Sequence, residues 1–304
     1  MMRAAATTIA APARSSFVQI ARDVVALGKP RLSSLVLTTT AGGMWLAPGT
    51  RDGASAAALL LGTVAVVSAA NALNNYLERD SDRLMRRTRA RPLPAGRLEP
   101  WVALAMGLGL PAVALPAMAW FTNTLTASLA ALALTLYACV YTPMKRTSSL
   151  ALFVGAVPGA IPPLMGWTAV TGRLDAGGLA LFAILFVWQL PHFLAISLYL
   201  SEDYARGGLR VFPLVHGERA TQVAAAVTSA LLIPTSLTLV PLGVAGHVYG
   251  AVALVLGFGL FGWSLTAFAA RNAPAQRWAR NFFLGTLAYL TILFAALFAW
   301  ARTP

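Results

Sequence analysis

Residues 53–82 read GASAAALLLGTVAVVSAANALNNYLERDSD, and this stretch decides what kind of protein the chain is. From 53 to 77 there is no Asp, Glu, Lys or Arg. About 20 apolar residues carry a helix across a bilayer core, and a charge at its centre costs about 2.5–3.5 kcal/mol. Residues 53–77 are therefore long and apolar enough to span, and Glu78, Asp80 and Asp82 mark where the helix leaves the hydrocarbon.

The same reading extends along the chain. Further charge-free runs cover 32–50, 100–144, 147–172, 176–201, 220–270 and 281–301. Runs 100–144 and 220–270 are long enough for two helices each, with turn-prone residues at Thr122-Asn123-Thr124 and from Pro241-Leu242-Gly243 to Gly246-His247. The expected fold is all-α: a polytopic membrane protein with nine transmembrane helices around a central cavity. Composition agrees, since 58% of the 304 residues are hydrophobic and only 11% charged, with a mean hydropathy of +0.70.

Basic residues set the orientation, because cytoplasmic loops are enriched in Lys and Arg. With the N-terminus inside, 20 of the 23 fall on the cytoplasmic side, leaving Arg51, Arg173 and Arg302 outside. The formal charge of +13 is thus a topology signal read by an acidic inner leaflet, and no nucleic-acid partner is implied. Cys139 is alone, which excludes an internal disulfide and a cysteine-based metal site; packing within a helix is its expected role. Residues 1–31 are expected to be a cytoplasmic, partly disordered N-terminal segment. A mitochondrial transit peptide is the alternative for the first 22, which hold Arg but no acid.

Residues 32–304 form one membrane domain, with two long charged connections, 78–99 and 201–219, on the same side. The two resemble each other. Tyr76-Leu77-Glu78-Arg79-Asp80 corresponds to Tyr199-Leu200-Ser201-Glu202-Asp203, and Arg89-x-x-Pro92-Leu93-x-x-Gly96 to Arg210-x-x-Pro213-Leu214-x-x-Gly217. An internal duplication whose halves face each other is the reading.

Five of the ten carboxylates, Glu78, Asp80, Asp82, Glu202 and Asp203, lie in these two places, although ionisable groups near hydrocarbon are costly and usually functional. Asn74, Glu78 and Asp82 recur at helical spacing and form one oxygen-bearing stripe. That stripe suits Mg²⁺, which takes one or two carboxylates together with water and substrate phosphate oxygens. Asp80 lies off it as a supporting group, and Asp203, with Glu202 beside it, would bind from the opposite half. Downstream stand Arg83, Arg86, Arg87, Arg89, Arg91 and Arg97, with Lys145 and Arg146 on the same face. Topology alone accounts for several of these. The combination with the acids fits a diphosphate leaving group, whose charge needs neutralising, while an apolar interior sheathes a prenyl chain and keeps water from its allylic cation.

His192, in Trp188-Gln189-Leu190-Pro191-His192-Phe193, lies about 15 Å below Asp203 along a regular helix. A hydrogen-bonded structural group and a contact to the acceptor, shared with Tyr199, are equally supported. His216 and His247 are given no role. Pro158, Pro162 and Pro163 are expected to break the fifth span, as where a cavity is lined, with ordinary tolerance of proline in membrane helices as the alternative.

Asn74-Asn75-Tyr76-Leu77-Glu78-Arg79-Asp80-Ser81-Asp82, followed by Met85-x-Arg87-Thr88-x-x-Arg91-Pro92-Leu93-x-x-Gly96, resembles the first aspartate-rich motif of the UbiA-type intramembrane prenyltransferase superfamily. More narrowly, Tyr141-Thr142-x-x-Lys145-Arg146, Pro162-Pro163-x-x-Gly166-Trp167, Pro191-His192-Phe193 and Asp203-Tyr204-x-x-Gly207-Gly208 before Pro213 resemble the branch that farnesylates protoheme IX. Glu78 stands where that branch usually has Asp, Val211 where it usually has Met, and Met144-Lys145 is one residue shorter. The resemblance implies farnesyl diphosphate as donor, heme b as acceptor and heme O as product, in a bacterial inner membrane with the site at the cytoplasmic face. It further implies Asn74, Glu78, Asp82 and Asp203 as Mg²⁺ and catalytic residues. Arg87, Arg91, Lys145 and Arg146 would bind diphosphate, with His192 and Tyr199 on the acceptor side and the next heme-modifying enzyme as a possible partner. A prenyltransferase for a quinone precursor is the nearest rival. A secondary transporter would place its polar groups at the bilayer midplane rather than at one edge, and a purely structural subunit gives no reason for acids beside arginines.

Overall fold

The computed structural model describes residues 16–269 and 275–301. Short α1 (Phe17–Leu27) precedes nine long helices among them: α2 (Pro30–Leu46), α3 (Gly53–Leu84), α4 (Pro100–Phe121), α5 (Thr124–Thr135) continued through a π turn at Leu136–Tyr141 into α6 (Thr142–Met144), α7 (Ala151–Thr171), α8 (Ala176–Tyr199), α10 (Phe212–Leu237), α11 (His247–Ala269) and α12 (Ala275–Ala299). Eight are long and apolar enough to cross a membrane by length and composition. The ninth, α2, has 17 residues, the lower limit for a span. Short α9 (Ser201–Arg206) lies in the second long connection.

The expected turns fall where the sequence put them. Asn123 caps α5, its side chain accepting from Thr126 N at 2.9 Å, so a polar residue inside an apolar run ends one span and starts the next. The charged connection 78–99 is shorter than expected, because α3 runs on to Leu84 and keeps the acidic stripe helical. Within the N-terminal segment residues 17–27 form a helix; residues 1–15 lie outside the described residues. Cys139 is exposed, not packed.

Pro158, Pro162 and Pro163 do not break their span: α7 is continuous across all three, and each is buried. Neighbouring α2, α5 and α8 pack against it, which is how proline is accommodated in membrane helices. Between α2 and α7 the backbones nearly touch. A Cβ at Gly43 would overlap the Pro163 carbonyl, and one at Gly166 the Thr40 carbonyl. In lipid such close approach is what small residues provide, since apolar burial drives little helix association there.

Two larger buried clusters result, with a smaller one around Leu27, Ala72 and Leu93. One centres on α8, α10, α11 and α12, with Leu181, Ile184, Leu232, Tyr249 and Phe282; the other joins α3, α4, α5 and α7 through Leu59, Met118 and Ile161. Helix α8 packs against α7, α10 and α12. In the second half, buried polar groups pair with one another, as hydrocarbon favours: Tyr249 donates to Ser236 O at 2.9 Å, and the Ser236 and Tyr289 hydroxyls lie 2.7 Å apart.

Candidate active site

The charged end of α3 is where the two long connections meet. Asn74, Glu78 and Asp82 lie buried on one face, as their spacing dictates. Each has a basic neighbour. Lys29 Nζ donates to Asn74 Oδ1 at 3.0 Å, Lys145 Nζ to Glu78 Oε1 at 2.8 Å, and Arg91 to Asp82 Oδ2 at 2.7 Å. Asp82 Oδ1 is buried with no partner. An unpaired buried carboxylate oxygen is costly, and a cation or a substrate group satisfies it.

Lys29 is a residue the sequence reading passed over as an ordinary loop cation. Its backbone has φ 49°, the sole non-glycine with positive φ among the described residues, a conformation costing about 1–2 kcal/mol. The corner around it is tied to α3: Asn75 Nδ2 donates to Leu27 O at 3.3 Å and Asn71 Nδ2 to Gly28 O at 3.2 Å. Those asparagines turn the Lys29 amine toward Asn74. Burial, with Arg91 and Lys145 close by, pulls that amine down to about 7; an anionic ligand would restore its charge.

The π turn is the second feature sequence periodicity did not reveal. Thr142 donates to Tyr137 O at 2.8 Å and accepts from Asn74 Nδ2 at 3.3 Å. π turns inside α-helices often mark functional sites. This one carries Tyr141, whose ring lies 4.3 Å beneath Lys145 Nζ. Burial works against charge on Lys145, but Tyr141 and Glu78 outweigh it and hold the amine well above the ordinary lysine value. Arg146 reaches back to Leu77 O at 3.1 Å.

The second connection closes over this cluster. The two Asp203 oxygens accept from the backbone amides of Arg86 and Arg87 at 3.0 and 3.1 Å, bridging 117 positions of sequence. Burial raises the Asp203 pKa, but these two amides with Arg206 and Arg87 prevail and hold its carboxyl below the usual range. Arg210 N donates to Lys145 O at 2.8 Å, and Ser149 Oγ lies 2.9 Å from His216 Nε2. His216, given no role from sequence, therefore ties the halves together. The matched glycines of the repeated motif, Gly96 and Gly217, both have positive φ, 70° and 83°.

Other candidates lie outside the network. Asp80 pairs with Arg79 and Arg83 at the surface, and Glu202, 80% exposed, pairs with Arg206. His192 sits between α8 and α12, its ring 4.7 Å from those of Trp188 and Phe283. Thr286 donates its hydroxyl proton to Phe283 O at 2.6 Å. It thus accepts from His192 Nδ1 at 2.9 Å, which leaves Nε2 with the lone pair. Tyr199, the last residue of α8, is exposed. Arg87 lies over the Tyr204 ring at 6.0 Å.

Among the described residues no three His, Cys, Asp or Glu side chains are grouped to hold a metal by themselves. The donor set here, two carboxylates and an amide oxygen with one orphaned atom, fits an ion that keeps water and phosphate oxygens as its remaining ligands.

Residues 35–287 match the model of the UbiA prenyltransferase family. The chain is 63% identical over 295 residues to the protoheme IX farnesyltransferase of Anaeromyxobacter sp. (strain Fw109-5), covering 97% of this chain and 99% of that protein. It is 51% identical to the protoheme IX farnesyltransferase of Myxococcus xanthus (strain DK1622) over 289 residues, 95% of this chain and 97% of the other. Among solved structures, a digeranylgeranylglyceryl phosphate synthase superposes with a TM-score of 0.78 at 14% identity, over 92% of this chain and 98% of its own. A UbiA homolog from Archaeoglobus fulgidus bound to GPP and Mg2+ does so with 0.62 at 16%, over 90% and 99%.

Proposed function

The chain belongs to the UbiA prenyltransferase family, and we propose that it transfers the farnesyl group of farnesyl diphosphate to a vinyl group of heme b, giving heme O and diphosphate. The observation that carries this reading is 63% identity over nearly the whole length to a protoheme IX farnesyltransferase. The protein is a multi-pass membrane protein. Its placement in the bacterial inner membrane with a cytoplasmic N-terminus rests on the bias of basic residues.

In the reaction the C1–O bond of the donor breaks and its electron pair leaves with diphosphate. The vinyl π electrons form the new bond to C1, water supplies the hydroxyl to the remaining vinyl carbon, and a proton departs. Asn74, Glu78, Asp82 and Asp203 are the residues that would hold Mg²⁺, which supplies charge neutralisation for the leaving group. Arg87, Arg91, Lys145 and Arg146 donate to diphosphate oxygens. Lys29 joins them from the corner before α2, and Asp80 and Glu202 stay at the periphery. Asp203 also fastens the second connection to the first through the Arg86 and Arg87 amides. His192, with Nε2 free to accept, and Tyr199 serve the acceptor side. Water exclusion falls to the apolar spans beneath.

The test is incubation of purified protein with labelled farnesyl diphosphate, Mg²⁺ and heme, followed by chromatography of the porphyrins. Label appears in a porphyrin more apolar than heme b. Label entering a quinone precursor and never heme overturns the acceptor assignment.

A further inference from the structure

Two cavities adjoin at the cytoplasmic rim and share Ala26 and Lys29 as a common wall. One, of about 320 Å³, is lined by Arg87, Arg91 and Arg97 and meets α3 at Asn75; its Lys29 and Arg91 are the side chains that bond Asn74 and Asp82. The other, of about 420 Å³, lies between α1 and α2. Its lining is of two kinds: the cations Arg22, Lys29 and Arg31, and the apolar Val25, Ala26 and Leu32. The reading of the reaction above leaves this second cavity without an occupant.

Helix α1 shows how a ligand reaches it. Asp23 on its buried side is held by Arg97 at 3.0 and 3.1 Å, and Leu27 packs with Ala72 and Leu93. Phe17, Val18, Ile20 and Val25 remain exposed. A short helix fixed at one face, with apolar residues on its free side and arginines beside them, lies in the headgroup zone of a bilayer. The groove between α1 and α2 is therefore open to an amphiphile arriving from the lipid.

We propose that this α1–α2 groove is the subsite for the anionic edge of the acceptor, with Arg22 and Arg31 receiving the two propionate carboxylates of heme b. The inference rests on the proposed acceptor. Heme b carries its propionates on the edge of the macrocycle facing away from the vinyls, so it enters a membrane with carboxylates at the rim and vinyls inward. Guanidiniums at headgroup level suit the first, and the apolar wall of Val25, Ala26 and Leu32 suits the macrocycle. The shared wall at Lys29 then sets the acceptor beside the donor, so that the vinyl edge approaches the carbon just beneath the diphosphate. If Arg22 and Arg31 served membrane topology alone, the acceptor's charge would be irrelevant to them.

The test compares protoheme IX with its dimethyl ester, which has the same macrocycle and no propionate charge, in wild type and in the double variant Arg22→Gln/Arg31→Gln. The expected result is a KM for heme raised on the order of 10-fold or more in the variant, from lost charge-assisted contacts. The KM for farnesyl diphosphate stays within about 2-fold, as a difference that small lies below one lost hydrogen bond. Wild type shows a comparable loss with the ester, and the variant shows no further one. An unchanged KM for heme overturns the proposal. So does a variant defect equal for heme and ester, or one present only in vesicles containing anionic phospholipid, which would assign the groove to a lipid headgroup. Failure of the proposed function looks different, because wild type would then label neither porphyrin.

Discussion

Replacing Lys145 by Met separates what the buried pair does for stability from what it does for turnover. Lys145 Nζ and Glu78 Oε1 are 2.8 Å apart, with side chains 17% and 9% exposed. At an effective dielectric near 20 their bare attraction is about 6 kcal/mol, much of it offset by hydration lost on burial. Removing one partner leaves the other as an uncompensated buried charge, which costs about 3–5 kcal/mol. Lys145→Met is therefore expected to unfold in detergent at clearly lower temperature, and Glu78→Gln/Lys145→Met to regain most of that loss, because the stranded carboxylate is gone. Turnover behaves otherwise. Assayed below its unfolding range with farnesyl diphosphate and heme, Lys145→Met loses on the order of 100-fold or more in kcat, the usual cost of removing one group that stabilises a departing oxyanion. Near-normal turnover of the folded single variant would refute the reasoning, since Lys145 would then serve only to neutralise Glu78.

Four further outcomes are expected. Asp82→Ala abolishes turnover while membrane insertion is unchanged, and retained activity would remove Asp82 from the proposed metal set. Asp203→Ala frees the amides of Arg86 and Arg87, so limited trypsin digestion should cut the arginine-rich connection faster than in wild type; an equal rate argues against the tie. Gly43→Val forces a side chain into the Pro163 carbonyl, and overpacking of this kind costs about 1–3 kcal/mol or more, read as a lower unfolding temperature with Gly53→Val, which has open space, as the control. The Arg97 guanidinium holds the Asp23 carboxyl below its ordinary 3.8. A depressed folded value means the stabilisation is complete above that ordinary value and drains away as pH falls below it. The protection of α1 amides, corrected for the intrinsic exchange rate at each pH, should therefore fall in acid, and Asp23→Asn should remove that dependence.

Much of this architecture was legible because membrane physics writes it plainly. A run such as 53–77 has one low-energy fate, and Asn123 in the middle of 100–144 has only a cap to be. The stripe Asn74, Glu78, Asp82 follows from helical period alone. What escaped the reading has an equally physical reason. Lys29 owes its position to a left-handed backbone and to side chains of Asn71 and Asn75 more than 40 positions away, none of which leaves a periodic trace. The π turn at Leu136–Tyr141 inserts one residue into an otherwise regular apolar helix and is silent in hydropathy. Of the two readings of Pro158, Pro162 and Pro163, tolerance holds, because packing by α2, α5 and α8 keeps α7 whole.

The unusual torsion at Lys29 sets robustness against purpose at a single position. Glycine there would relax the main chain, yet it would delete the amine that reaches Asn74 and leave a buried amide oxygen unpaired. Selection for heme O output should hold the lysine in place despite its backbone cost.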